Sequence, residues 1–234
     1  MQVRVGVAKA AKFGVPESGD TLEVVERRKG GLSVVMADGQ GSGFPAKRIS
    51  NLVVSRAISL ISEGARDGAV ARAVHDVLFA LRDGKVSCEL TILSADLRTR
   101  TVVISRNTSV PVWVASRGEL TVCSDDCQPI GMREVVKPCI SEFPLEEGLL
   151  VVTFTDGVLH SGRNFGLGSA LEAAGAMVGK SGPERTDELP RELLDMAIKR
   201  DSGRPQDDMT VVAMGVVGFE GEHKIRHMSV CFPA

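Results

Sequence analysis

Three times in this sequence a short apolar run has an aspartate at one end. Val34-Val35-Met36-Ala37 empties into Asp38-Gly39-Gln40-Gly41-Ser42-Gly43. Leu149-Leu150-Val151-Val152-Thr153-Phe154-Thr155 empties into Asp156-Gly157, and Asp207-Asp208 leads into Met209-Thr210-Val211-Val212-Ala213-Met214. Apolar runs of this length, bounded by turn residues, read as buried strands. A carboxylate at each strand end puts negative charge at the rim of a core. Three such ends from distant segments are what an oxygen-ligand metal site is built from. Carboxylates, carbonyls and water are hard ligands that suit Mg²⁺ or Mn²⁺, and no histidine or cysteine lies in these stretches to favour zinc.

The elements between these runs narrow the architecture. Val3, Val5 and Val7 alternate with Arg4, Gly6 and Ala8, which predicts a first strand; Thr21 to Arg27 and Leu32 to Ala37 predict two more, around the turn Arg28-Lys29-Gly30-Gly31. Ile49, Leu52, Val53, Ala57, Leu60 and Ile61 fall at helical spacing between about 45 and 63. A second helix carries Val70, Val74, Val77, Leu78 and Leu81, with Asp67 as its cap and Gly84 as its stop. Strand patterns then crowd together at 88–95, 101–106, 111–115, 119–123, 135–142 and 149–155. The stretch 166–200 reads as two helices broken at Lys180-Ser181-Gly182-Pro183, followed by a strand at 209–217 and one more at 225–231.

Strands that cluster, with helices in two pairs, argue against a doubly wound parallel sheet. The expectation is an α+β fold: a mostly antiparallel β-sandwich with a helix pair on each outer face, in four layers α-β-β-α. No internal repeat or low-complexity linker divides the 234 residues, so 1–234 reads as a single catalytic domain.

Composition sets outer limits. With 43% hydrophobic and 25% charged residues the chain can bury a normal core. A net charge of −2 gives no global field for nucleic acid or an anionic membrane. No apolar run reaches transmembrane length, and Met1 to Val7 lacks the basic-then-apolar order of a secretion signal. The five cysteines, at irregular spacing, read as reduced thiols of a cytoplasmic protein. Cys123 and Cys127 with His223 and His227 could be drawn as a zinc site, but nothing frames the two pairs together.

The motifs Ser18-Gly19-Asp20, Ala37-Asp38-Gly39-Gln40-Gly41-Ser42-Gly43, Thr155-Asp156-Gly157 and Asp207-Asp208-Met209-Thr210 resemble, in that order, those of the metal-dependent protein phosphatases of PP2C (PPM) type. Gln128-Pro129-Ile130-Gly131 is similar to a turn of the bacterial sporulation and stress-response branch of that family. The resemblance covers about residues 18–217 and implies two Mn²⁺ or Mg²⁺ ions at one end of a β-sandwich. It implies that Asp38 bridges both ions, that Gly39 donates its carbonyl, that Asp156 and Asp207 hold the first ion, and that Asp20 acts at the second. Many relatives carry Glu-Asp where this chain has Gly19-Asp20, which weakens the expected hold on the second ion. The implied reaction is hydrolysis of phosphoserine or phosphothreonine by a hydroxide that the ion pair generates. The implied partner is a phosphorylated stressosome scaffold or STAS-domain protein.

Other readings of the same residues are weaker. Asp208 reads as a group behind the metal ligands, and an amide at that position should be tolerated. His160 lies close to Asp156 but has no partner to make it an acid, and Trp113, between Val112 and Val114, reads as core. Gly39-x-Gly41-x-Gly43 resembles a dinucleotide-binding turn, yet Phe44 stands where the fingerprint needs its third glycine. A domain that keeps the fold as a catalytically weak binding module would be expected to have lost an aspartate, and all three are present.

Overall fold

The computed structural model describes residues 1–219, 221 and 225–231. The strands are β1 (Gln2–Ala10), β2 (Asp20–Glu26), β3 (Gly31–Gly39), β4 (Cys88–Asp96), β5 (Thr101–Asn107), β6 (Val112–Ser116), β7 (Glu119–Cys123), β8 (Cys139–Pro144), β9 (Leu150–Phe154) and β10 (Met209–Val217). The helices are α1 (Gly43–Glu63), α2 (Asp67–Arg82), the single turn α3 (Asp156–Leu159), α4 (Leu171–Gly179) and α5 (Leu189–Arg200).

The strands form two five-stranded sheets, in the orders β1-β10-β9-β6-β7 and β2-β3-β4-β5-β8. Every strand pair is antiparallel. The β3–α1 connection therefore does not open the parallel βαβ unit that a dinucleotide turn requires.

Strict alternation sends successive side chains to opposite faces of each sheet, and both faces are apolar because both are covered. Val34, Met36, Leu93, Val102 and Ile104 face Val112, Val114, Val151, Val212 and Met214 of the other sheet and form the central core. Val35, Ala37, Leu90 and Ile92 turn the other way, onto Ile49, Val53 and Ala57 of α1 and Val70, Val74 and Leu78 of α2. Trp113, Val152, Phe154, Val211 and Ala213 pack on Ala174 and Val178 of α4 and Leu193 and Ala197 of α5. Three apolar layers separate four structural ones, the expected α-β-β-α order, and Trp113 is core.

Some local expectations shift. Asp67 is the first residue of α2 rather than its cap; Arg66 holds the cap position. The Asp67 carboxylate is buried and pairs with Arg27 at 2.8 Å, so a tertiary partner has taken the oxygen a cap would use. Strand β8 starts after Pro138, which has no N–H to give a ladder, and leaves Val135 exposed. The stretch 225–231 is irregular, with Arg226 on Glu26, rather than a strand.

Candidate metal centre

Asp20, Asp38 and Glu89 lie side by side on neighbouring strands. Asp38 of β3 is in direct register with Asp20 of β2 on one side and with Glu89 of β4 on the other. By alternation the three share the face of Leu22, Met36 and Leu93, which looks into the space between the sheets. The central core thus ends in a row of carboxylates. The opposite sheet answers it with Thr155 and Thr210, whose hydroxyls both donate to Asp20 Oδ2, at 3.0 and 2.6 Å. Asp20 is fully buried, and its other oxygen, Oδ1, has no hydrogen-bond partner among the described residues.

Asp156 and Asp207 arrive from that opposite sheet. Asp156 begins α3 one residue beyond the end of β9, and Asp207 is separated from the start of β10 by Asp208 alone. Gly157 brings the two segments together: a Cβ there would stand 2.1 Å from the Asp208 carbonyl oxygen and 3.2 Å from Asp207 Cβ. Gly39 does the same on the other side, since a Cβ would stand 2.1 Å from the carbonyl oxygen of Ala46 in α1. Both glycines after the aspartates are thus required by close backbone approach.

The electrostatics agree with a crowded anionic pocket. Burial pushes the Asp38 carboxyl up to about 11, reinforced by the charges of Asp20, Asp156 and Glu89. Burial likewise raises Asp20 to about 6, although the Thr210 and Thr155 hydroxyls and Lys9 oppose the shift. Glu89 rises to about 7, again through burial, against a hydrogen bond from the Thr108 hydroxyl. Asp207 is raised by burial and by Asp156 nearby. Acids so placed titrate abnormally because removing their protons leaves like charges together in low dielectric.

Whether divalent cations fit is decided by this donor set. Among the described residues no three His, Cys, Asp or Glu side chains close on one point as a finished cage. Two of the carboxylates, Asp38 and Glu89, instead line a small cavity together with Thr91, Thr108 and Thr155. The chemistry fits: the oxygens are hard, one buried carboxylate oxygen is unspent, and the charges repel unless a cation enters. Zinc chemistry finds no frame. All five cysteines are free, Cys127 Sγ accepts from the Cys139 amide, and His227 is exposed; His223 lies outside the described residues.

Asp208 is buried behind the site. Its two oxygens accept the backbone N–H groups of Lys12 at 3.0 Å and Gly19 at 2.8 Å, so it pins the segment that delivers Asp20. Lys9 and Lys47 both donate to the Asp20 carbonyl, which the sequence did not foretell. Glu89 was also missed. The available signal was its parity with Thr91, Leu93 and Ala95, an acid continuing an apolar face at the start of a strand.

Two facing antiparallel sheets, helix pairs on both outer faces and aspartates gathered at one end of the sandwich define the PP2C (PPM) phosphatase fold. Within that class the chain belongs to the Stage II sporulation protein E (SpoIIE) family, whose profile matches residues 28–217. It is 23% identical over 214 residues to the Stage II sporulation protein E of Priestia megaterium, covering 90% of this chain but only 36% of that protein. The PP2C phosphatase domain of the cell fate determinant SpoIIE from Bacillus subtilis, solved with a fragment of its regulatory domain, superposes with a TM-score of 0.78. Identity there is 22%, over 92% of this chain and 64% of that one. RsbX, solved in complex with magnesium, superposes with a TM-score of 0.67 at 16% identity, over 91% of this chain and 94% of that one.

Proposed function

We propose that this domain is a Mn²⁺- or Mg²⁺-dependent phosphatase acting on phosphoserine or phosphothreonine in proteins, and that Asp20, Asp38, Gly39, Asp156 and Asp207 hold two ions. The observation that carries the reading is the convergence of Asp20, Asp38, Asp156 and Asp207 from both sheets at one end of a PP2C-type sandwich. Bound there, a pair of divalent cations would supply an activated water for in-line attack on phosphorus and neutralise charge on the phosphoryl oxygens.

The protein's own contribution is placement. Asp38 stands between the two groups of acids, with Asp20 and Glu89 across the register and Asp156 beside it, and this central position supports the reading in which it would serve both ions. Asp156 and Asp207, at strand ends, supply the side nearer solvent. Thr155 and Thr210 orient Asp20 through Oδ2, and Oδ1 has no partner among the described residues. Asp208 holds the Gly19 amide, and Gly39 and Gly157 let the backbones close in around the carboxylates.

The substrates proposed are phosphorylated STAS-domain or stressosome scaffold proteins, the class that the family resemblance implies, in a cytoplasmic setting. Incubation of metal-stripped protein with such phosphoproteins, with and without Mn²⁺, read by intact mass, tests the activity. Loss of 80 Da (about the mass of one HPO₃ group) only when Mn²⁺ or Mg²⁺ is present is expected. Full turnover after chelation refutes the metal mechanism. A weakly catalytic binding module is the second reading, favoured by Gly19 standing where no carboxylate can be added: a Cβ there would meet Ala46 Cβ at 2.7 Å. Complex formation without mass loss would select it.

A further inference from the structure

The row Asp20–Asp38–Glu89 is costly as a protein-only arrangement. Directly opposed side chains on neighbouring antiparallel strands have Cβ atoms about 5 Å apart, and like charges so placed destabilise the sheet. Here two such pairs occur in succession, Asp20 with Asp38 and Asp38 with Glu89. Lys9 and Lys47 give their ammonium groups to the Asp20 carbonyl, not to any carboxylate of the row. No lysine or arginine is among the residues lining the cavity that Asp38 and Glu89 share.

Glu89 is positioned from its far side. The register of β4 with β5 ends at Leu90 and Asn107, so Thr108 follows next in the row, and its hydroxyl donates to Glu89 Oε2 at 2.6 Å. That bond holds the carboxylate at the cavity wall. Holding the 107–110 loop does not by itself require a charge, since a glutamine carbonyl accepts the same hydroxyl. On the other side of Asp38 in the same row, Asp20 Oδ1 is buried and has no partner among the described residues, so the row as a whole keeps acceptor capacity that the described residues do not use.

We propose that Glu89 is an additional divalent-cation ligand, holding an ion jointly with Asp38 across the β3–β4 register. The inference rests on the metal-dependent reading of the site above. It gives the centre an acid from β4, whereas position 19 itself carries none and has no space for one.

The test uses the full chain, stripped of metal and titrated with Mn²⁺ by calorimetry and by the electron paramagnetic resonance of free Mn²⁺. Thermal melts with and without Mn²⁺ accompany both. Glu89→Gln should lose one equivalent of bound Mn²⁺ or bind it at least tenfold more weakly, while melting in chelator at or above the parent temperature. Asp38→Asn is the control. If Asp38→Asn loses Mn²⁺ and Glu89→Gln titrates like the parent, Glu89 is only a loop anchor and the inference is overturned. If neither variant changes the titration, the metal reading of the whole site fails and takes this inference with it. Should Glu89→Gln melt lower in chelator, Thr108→Val decides, because it removes the anchor and keeps the carboxylate. Mn²⁺ affinity retained in Thr108→Val but lost in Glu89→Gln supports the ligand role; equal loss in both overturns it.

Discussion

Replacing Asp208 by asparagine should cost the folded protein about 3 kcal/mol, from one charge-assisted hydrogen bond lost and another weakened. From sequence alone an amide looks tolerable here, because Asn keeps the size and most of the bonding of a carboxylate. The structure changes the expectation: both carboxylate oxygens accept backbone N–H groups, Lys12 on one and Gly19 on the other. An amide has one acceptor oxygen, so its NH₂ must face a second N–H in a buried setting, and one donor is orphaned. For a chain of this size 3 kcal/mol corresponds to a fall of roughly 6–12 °C in melting temperature. Differential scanning calorimetry in chelator reads this directly, without any contribution from metal. Asp207→Asn is the matched comparison. Asp207 is half-exposed, its oxygen accepts only the Asp208 amide among the described hydrogen bonds, and its carboxyl is raised by burial and by Asp156. An amide keeps that one bond and removes a repelled charge, so its melting temperature in chelator should equal or exceed the parent's, while the stabilisation by Mn²⁺ disappears. Asp208→Asn melting within 2 °C of the parent (less than about 1 kcal/mol) would refute the claim that both oxygens hold backbone in the folded protein.

Asp38→Ala should abolish phosphatase turnover in a protein that still folds, since the side chain removed stands among repelling acids; near-normal turnover in a folded variant would reduce Asp38 to a turn residue. Gly39→Ala drives a Cβ into the Ala46 carbonyl and should cost about 2 kcal/mol or more by forcing α1 off the sheet, measured by urea unfolding. Asp20, Glu89 and Asp38 have folded values of about 6, 7 and 11 against ordinary values of 3.8, 4.5 and 3.8, so the folded state binds protons the unfolded state has released. Metal-free stability should accordingly be highest near or below about pH 4 as regards these groups, and decline as pH rises through 6 and 7. Urea melts in chelator at pH 5 and pH 8 check the sign. Mn²⁺ affinity should move the other way, rising from pH 6 to pH 8 with proton release on binding, as titrations in buffers of different ionisation enthalpy would show.

Much of this protein is legible along the chain because its signals are local. Val34 to Ala37 and Met209 to Val217 are apolar on both faces, which predicts strands covered on both sides, and the helical spacing from Ile49 to Ile61 is long enough to be unambiguous. Asp38, Asp156 and Asp207 announce themselves because a charge at the end of a buried strand is chemically out of place. Asp20 was legible only through the order of motifs, since Ser-Gly-Asp is ordinary loop composition.

Tertiary structure decided what depends on register and on partners distant in sequence. Which face of β10 looks inward could not be read, because Met209, Val211 and Ala213 are as apolar as Val212 and Met214. Packing put the second set between the sheets and so turned Thr210 toward Asp20. Asp67 lost its capping role to Arg27, forty residues earlier, and the glycines at 39 and 157 answer to backbone atoms of Ala46 and Asp208. Glu89 shows the division most plainly. In sequence it is one acid in a strand. Paired across from Asp38 it becomes part of a row of like charges, because hydrogen-bonded register, not proximity along the chain, sets which side chains must share the same few ångströms.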